Sequence, residues 1–324
     1  MAEQNTTQKQ KIAVLGSGTM GHGIAAAFAM GGHDVNLYGR RASSVQKGFE
    51  QIRQDLDVMV SLDYMSQEEM DDVLGRIRLS TDLKEAVSDR DYVIEVLPED
   101  LELKLEILKQ IDQWCPEHTI FASNTSSLKL ADMAEALSQE RTKRFVINHW
   151  FNPAHIVPLV ELSNYGNNDP AVLDEVYQMH LDLGKQPVWV KKDIPGMLAN
   201  RLQQAVLREI FSLVEMGAAS AEDLDKTMQY GPGFRYPLAG PVKIVDYGGS
   251  DVWCVEAANL LADMDNSKEP NPLFKERLET GELGLKTGKG FYDFTGQDPD
   301  QLRAEFNEDM IRQLKLSKEF FMKK

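Results

Sequence analysis

The sequence predicts an α/β chain in which a doubly wound parallel sheet is followed by an all-α domain. Three observations carry this. Short apolar runs alternate with helical patterns up to residue 193, a glycine-rich turn closes the first run, and helical spacing takes over after Pro195-Gly196. Alternation of this kind implies parallel strands joined by crossover helices.

Strands are predicted at Lys11–Leu15, Val35–Tyr38, Tyr92–Val96, Ile120–Ser123, Phe145–Asn148, Leu159–Leu162 and Gln186–Val190. Between the second and third, residues 45–86 show helical periodicity and many charges. That length exceeds a simple crossover and predicts a helical hairpin inserted in, and protruding from, the sheet. Pro195 suits a helix start, so the chain divides into domains 1–193 and 194–324. Met197–Met216 carries more apolar residues than one helix face need bury in a small domain, which predicts self-association. The tail from Pro299 reads as a surface helix with apolar Leu302, Phe306, Met310, Ile311 and Leu314, docking on the body or on a second subunit.

With 324 residues the chain can build two cores. A net charge of −16 argues against nucleic acid or an anionic membrane surface as partner. The first residues are polar, and no apolar run approaches the ~20 residues that span a bilayer. Cys115 and Cys254 lie far apart without metal-like spacing, so free thiols in a reducing cytoplasm and no metal are expected.

Residues 12–21 read IAVLGSGTMG and open an alanine-rich helix. In such a turn Gly16 permits the tight bend, Gly18 lets backbone approach a pyrophosphate, and Gly21 lets helix and strand pack closely. Thr19 and Met20 complete the loop, and the phosphates would sit on free N–H groups at the helix N-terminus. This predicts a Rossmann-type dinucleotide site. The next strand ends in Gly39-Arg40-Arg41, where an NAD-preferring fold places an acid for the ribose hydroxyls. Two arginines there attract a 2′-phosphate, so NAD(P) is expected with NADP favoured; otherwise they form a solvated basic loop that tolerates NAD.

Three further segments carry polar residues at strand ends or inside strands: FASNTSS ending at Ser127, HWFNP beginning at His149, and Glu161 within an apolar run. A buried glutamate needs a partner, either a histidine or an arginine. A histidine beside it makes a general base whose tautomer the carboxylate fixes.

Taken together, the glycine loop, Glu95-x-x-x-Glu99, the Ser123–Ser127 run, the His149–Pro153 run, Leu159-Val160-Glu161, Pro195–Arg201, Gly240-Pro241 with Asp246, and Lys286–Asp293 resemble the L-3-hydroxyacyl-CoA dehydrogenases, in order from about residue 11 to 294. The resemblance implies a Rossmann domain followed by a helical domain that dimerises, with a small-molecule substrate between them. It implies that His149 takes the hydroxyl proton, that Glu161 orients the imidazole, and that Ser126 and Asn200 hydrogen-bond the reacting oxygen. Asn152 helps hold the base and faces substrate, Glu99 falls on the nicotinamide-ribose side, and Asn124 lines the cleft.

The chain departs from that family in the Arg40-Arg41 loop and in residues 50–66, which hold Arg53 against Glu50, Asp55, Asp57 and Asp63 and contain no lysine. It departs again around Arg235 and in the C-terminal extension, which look more like the gulonate dehydrogenase and lambda-crystallin branch. Arg235 either clamps a free carboxylate or forms an interface ion pair. The expected activity is reversible hydride transfer at C3 of an L-3-hydroxyacyl-CoA. Its alternatives are a free hydroxy acid of gulonate or carnitine type, and a cofactor-binding protein without turnover.

Overall fold

The structure, a computed structural model, describes residues 9–320 apart from 165 and 193. The chain clusters into two compact units. The first runs to Leu198 and takes in Asn307–Leu314; the second is Ala199–Phe306 with the residues from Lys315.

In the first unit eight strands form one sheet: β1 (Lys11–Leu15), β2 (Asp34–Tyr38), β3 (Ile77–Ser80), β4 (Tyr92–Glu95), β5 (Ile120–Ser123), β6 (Phe145–Trp150), β7 (Leu159–Ser163) and β8 (Gln186–Val190). Their spatial order is β3-β2-β1-β4-β5-β6-β7-β8. Between them lie α1 (Gly21–Met30), α2 (Ala42–Ser61), α3 (Gln67–Gly75), α4 (Leu83–Val87), α5 (Leu101–Asp112), α6 (Leu130–Ala134), α7 (Gln139–Thr142) and α8 (Pro170–Asp182). The order reverses at β1, where one crossover leads to β2 and a later one to β4. That reversal opens a crevice at the carboxyl ends of the strands, where open α/β sheets bind ligands.

Three sequence expectations need correction. The sheet is not wholly parallel: β7 runs antiparallel to β6, with His149 opposite Glu161, while β8 is parallel to β7. Eight residues join β6 to β7, too few for a helical crossover, so the chain turns back on itself. The stretch between β2 and β4 also contains a strand, β3, parallel to β2. Finally, the helical pair does not protrude. α2 buries Val45, Ile52, Leu56 and Met59, α3 buries Met70, Val73 and Leu74, and the two pack against α1 and β3.

Strand residues point alternately to two cores. On one side Ala13, Leu15, Val93, Phe121 and Phe145 pack with Leu108 and Ile111 of α5. On the other, Phe28 of α1 meets Tyr92, Trp150 and His180, with ring centroids 5.8, 5.6 and 6.4 Å away. The second unit is helical: α9 (Ala199–Glu215), α10 (Ala221–Tyr230), α11 (Pro232–Arg235), α12 (Pro241–Gly248), α13 (Ser250–Leu260), α14 (Pro272–Thr280) and the outer parts of α15 (Pro299–Phe320). Its aromatic centre is Phe211, whose ring lies 4.4 Å from that of Phe274 and 4.7 Å from that of Phe291. In α15, Ile311 and Leu314 are buried, whereas Phe306 is exposed.

The glycine loop separates glycines in close backbone contact from one that borders open space. Gly16 has φ +123°, and a Cβ at Gly21 would lie 1.8 Å from the Gly16 carbonyl oxygen; a Cβ at Gly18 meets nothing within 4 Å. Gly21→Ala is therefore expected to destabilise the fold by about 1–3 kcal/mol through overpacking. Gly18→Ala should leave the melting temperature unchanged and weaken dinucleotide binding, as thermal unfolding and cofactor titration will show.

Candidate active site

The crevice above β1, β2, β4 and β5 is a cavity of about 590 Å³, lined by residues 16–20, Tyr38–Arg41, Ser44, Val96–Pro98 and Asn124. Its size lies in the range of small-molecule and cofactor sites. α1 begins at the loop with no side-chain cap and no acid in its first turn, leaving the N-terminal N–H groups and helix dipole for an anion. Arg40 and Arg41 are exposed on the rim. Among the described residues neither has a carboxylate within ion-pair distance. Open space at Gly18, backbone donors and two unengaged cations fit a nicotinamide dinucleotide.

Beside this cavity β6 and β7 supply the base candidate. In an antiparallel pair, directly opposed residues share a face with Cβ atoms about 4.5–5.5 Å apart. The pairing of His149 with Glu161 brings His149 Nδ1 to 2.9 Å from Glu161 Oε2. Glu161 is wholly buried, and its other oxygen accepts the Leu198 amide at 2.8 Å. A carboxylate only accepts, so Nδ1–H of His149 donates and the lone pair of the neutral ring resides on Nε2. Of the two partners the sequence offered for Glu161, the histidine is in place, joined by a backbone amide. Phe151 stands edge-on to the imidazole, 4.8 Å between ring centroids.

The strand is anchored from its opposite face. Trp150 points into the aromatic core, its amide donates to Asn124 Oδ1 at 2.9 Å, and the Lys185 ammonium lies 5.1 Å from its ring. Lys185 also donates to the Ala154 and Val157 carbonyls at 2.6 and 2.9 Å, fixing the segment after Asn152. Asn152 itself is exposed, and the Asn152–Pro153 peptide is cis.

Ser126 sits on an exposed turn that a carboxylate organises. Glu99 Oε1 accepts from Thr125 Oγ1 at 2.6 Å, from the Ser126 and Ser127 amides at 3.0 Å each, and from Ser127 Oγ at 2.8 Å. Partial burial alone would raise the Glu99 pKa. Bonds from Thr125 and Ser127, and the nearby Lys104 charge, overcome this and hold it at about 2. Because the folded value is depressed, the contribution of Glu99 to stability is full above the usual 4.5 and is lost as pH falls toward 2. Loosening of this turn on acidification is the expected outcome, measurable by amide exchange at Ser126 and Ser127.

Beneath that turn lies a buried pair that sequence reading missed. Lys104 Nζ bonds both oxygens of Glu95 at 2.8 Å, each residue 1% exposed, and approaches Glu99 Oε2 at 3.4 Å. Ser123 Oγ donates to Glu95 as well. The available signal was a lysine on the apolar stripe of α5, in register with Leu101, Leu108 and Ile111. Removing one partner strands a buried charge, so Lys104→Ala should cost about 3–5 kcal/mol, whereas Lys104→Met with Glu95→Gln should recover much of it in denaturant unfolding.

The remaining expected residues belong to the second unit. Asn200 is half-buried in the first turn of α9, and Arg235 is exposed at the end of α11.

Residues 11–194 match the family model for the NAD-binding domain of 3-hydroxyacyl-CoA dehydrogenase, and residues 196–294 match the model for its C-terminal domain. The 5-formyl-3-hydroxy-2-methylpyridine 4-carboxylate 5-dehydrogenase of Mesorhizobium japonicum is 33% identical over 297 residues, covering 91% of this chain and 94% of its own. The mitochondrial hydroxyacyl-coenzyme A dehydrogenase of Homo sapiens is 34% identical over 290 residues, covering 87% and 90%. A crystal structure of a 5-formyl-3-hydroxy-2-methylpyridine 4-carboxylic acid 5-dehydrogenase, described as an NAD+-dependent dismutase, superposes with a TM-score of 0.86 at 30% identity over 96% of this chain and 99% of that one. The (S)-3-hydroxybutyryl-CoA dehydrogenase of Ralstonia eutropha does so at 0.72 with 33% identity, covering 89% and 100%. With a dinucleotide loop, a buried acid–imidazole pair and both domain models matched in order, this chain belongs to the 3-hydroxyacyl-CoA dehydrogenase family of oxidoreductases.

Proposed function

We propose that the chain catalyses reversible hydride transfer between NAD(P) and the hydroxyl-bearing C3 of an L-3-hydroxyacyl substrate. The observation that carries this reading is the His149–Glu161 pair, a donor–acceptor arrangement that leaves Nε2 of His149 free to take a hydroxyl proton. The nicotinamide, when bound, supplies the hydride chemistry. His149 Nε2 removes the proton as the carbonyl forms and returns it in the reverse direction. Glu161 holds the imidazole in the Nδ1–H form and offsets its charge once protonated. Ser126, presented on the turn that Glu99 organises, and Asn200 from α9 donate to the reacting oxygen. Asn152 positions the substrate end of the site. Glu99 and Asn124 shape the nicotinamide side, and the glycine loop holds the pyrophosphate. His149→Gln should lower kcat about 10²–10⁴-fold while leaving dinucleotide affinity near wild type, because its contribution arises in the transition state. Unchanged kcat in the variant would remove this mechanism, whereas a wild-type chain that binds dinucleotide but turns over no hydroxyacyl or hydroxy-acid substrate would be a cofactor-binding protein.

Two substrate classes share this chemistry. The CoA thioester follows from the family. A free carboxylate is favoured by specific observations: the only basic residue among the exposed charges of residues 50–63 is Arg53, outnumbered by Glu50, Asp57 and Asp63. The fold likeness to the pyridine-carboxylate dehydrogenase also supports it. A steady-state panel of 3-hydroxyacyl-CoA thioesters against free hydroxy carboxylates separates the two. If Arg235 clamps a carboxylate, Arg235→Leu raises KM for the free acid and spares the thioester.

For the cofactor we infer NADP preference, supported by Arg40 and Arg41 on the cavity rim. A charge-assisted hydrogen bond contributes about 1.5–3 kcal/mol, so Arg40→Ala should reduce the NADP:NAD ratio of kcat/KM about tenfold or more. A wild-type enzyme selective for NAD would make the loop mere surface. We also infer a homodimer built on the second unit, supported by exposed Leu202 on α9, Val242 and Tyr247 on α12, and Val252 and Val255 on α13. Light scattering at micromolar concentration should give twice the chain mass.

A further inference from the structure

α1 opens with a histidine whose two ring nitrogens both face oxygen. His22 Nδ1 lies 2.9 Å from the Gly18 carbonyl oxygen, and Nε2 lies 3.3 Å from Asp55 Oδ2 of α2. A carbonyl and an ionised carboxylate only accept, so an imidazolium, with a proton on each nitrogen, is the form that suits both neighbours. Burial pushes the Asp55 carboxyl up. His22, His155 and a bond from Gln51 Nε2 at 3.0 Å together hold it below the usual range. The third member of the cluster, His155, approaches the same Oδ2 with Nδ1 at 3.8 Å, its ring 6.4 Å from that of His22. Burial drives His155 down to about 4, with the charges of His22 and Lys185 adding to the effect, so it stays neutral while His22 is charged.

Gly18 is the residue at which the loop leaves open space for a ligand, and its carbonyl also accepts the His22 amide at 3.2 Å. In a trans peptide the Thr19 N–H points opposite to the Gly18 C=O. A carbonyl held back on α1 therefore turns that N–H away from the helix, and Thr19 lines the cavity. We propose that His22 is a proton-dependent positioning residue for the dinucleotide loop, its imidazolium holding the Gly18 peptide in the orientation that receives the pyrophosphate. Above its pKa one ring nitrogen turns a lone pair toward oxygen, the hold is lost, and so is a positive charge beside the phosphate site. Burial alone would lower the His22 pKa; the Asp55 carboxylate and the Gly18 carbonyl outweigh it and raise it above the usual 6.5. The cation thus persists to higher pH than in a free imidazole and is lost above that.

The test is the affinity of the full chain for NADH, which has no phosphate titrating in this range, followed by fluorescence from about pH 6 to 10. Wild type should bind with constant Kd on the acid side and weaken about three- to tenfold across a break above the usual histidine value. His22→Gln should bind at the weak level throughout, with no break. Asp55→Asn should shift the break to lower pH, and His149→Gln should keep it. A pH-independent wild-type Kd, or a break that survives in His22→Gln, overturns the proposal. If His22→Gln proves insoluble, Asp55→Asn carries the test, and an unmoved break there overturns it equally.

Discussion

The antiparallel pairing of β6 with β7 sets the geometry on which the site depends. Elsewhere from β3 to β6 the sheet is parallel, and neighbours along it come from segments joined by helices. Here the chain folds straight back, and residues twelve apart become cross-strand partners. A shift of one residue in register would carry Glu161 to the other face, exchanging a buried carboxylate for an apolar side chain. The register is held by what lies on each side of it. Trp150 is locked into the aromatic core by Phe28 and His180, and Lys185 ties the returning segment to the chain after β8's predecessor helix through two carbonyls. A carboxylate with no exposure is stable there because the imidazole and the Leu198 amide engage both of its oxygens.

A second set of buried charges serves the neighbouring strands. Lys104 neutralises Glu95 and stands near Glu99, and Glu99 in turn gathers the donors of residues 125–127. The ends of β1, β4, β5 and β6 therefore carry, in order, the glycine loop, an acid cluster, a hydroxyl-bearing turn and the imidazole. Rigid burial of the charges beneath these loops holds exposed groups such as Ser126 in place without apolar packing of their own.

Much of this was legible in the chain. The glycine spacing places the turn between β1 and α1, and Gly16 and Gly21 meet close backbone contacts as that reading requires, while a Cβ at Gly18 would stand in open space. The strand runs of the central sheet are apolar on both faces and hence conspicuous. β3 was not visible, since Ile77–Ser80 is a short edge strand with Arg76 before it and Arg78 within it, and only Ile77 is buried. The direction of β7 is not written in its own residues; its signal was the eight-residue connection after β6, too short for a crossover. Lys104 announced itself only as a charge on an apolar helical stripe, and its acidic partner lies in another element. Asp55 counted as surface charge in the linear sequence. In three dimensions it is buried between His22 and His155, a juxtaposition of three separate segments that no local pattern encodes.

The proposed chemistry of His149 depends on one microscopic state, in which the neutral imidazole carries its proton on Nδ1, toward Glu161, and its lone pair on Nε2. Nitrogen-15 NMR of histidine-labelled protein, with His149 assigned by comparison with His149→Gln, reads this directly. The account predicts a protonated, pyrrole-type shift for Nδ1 and an unprotonated, pyridine-type shift for Nε2, with Glu161→Gln mixing the two tautomers. A proton resident on Nε2 of the neutral ring in the unsubstituted protein would contradict it.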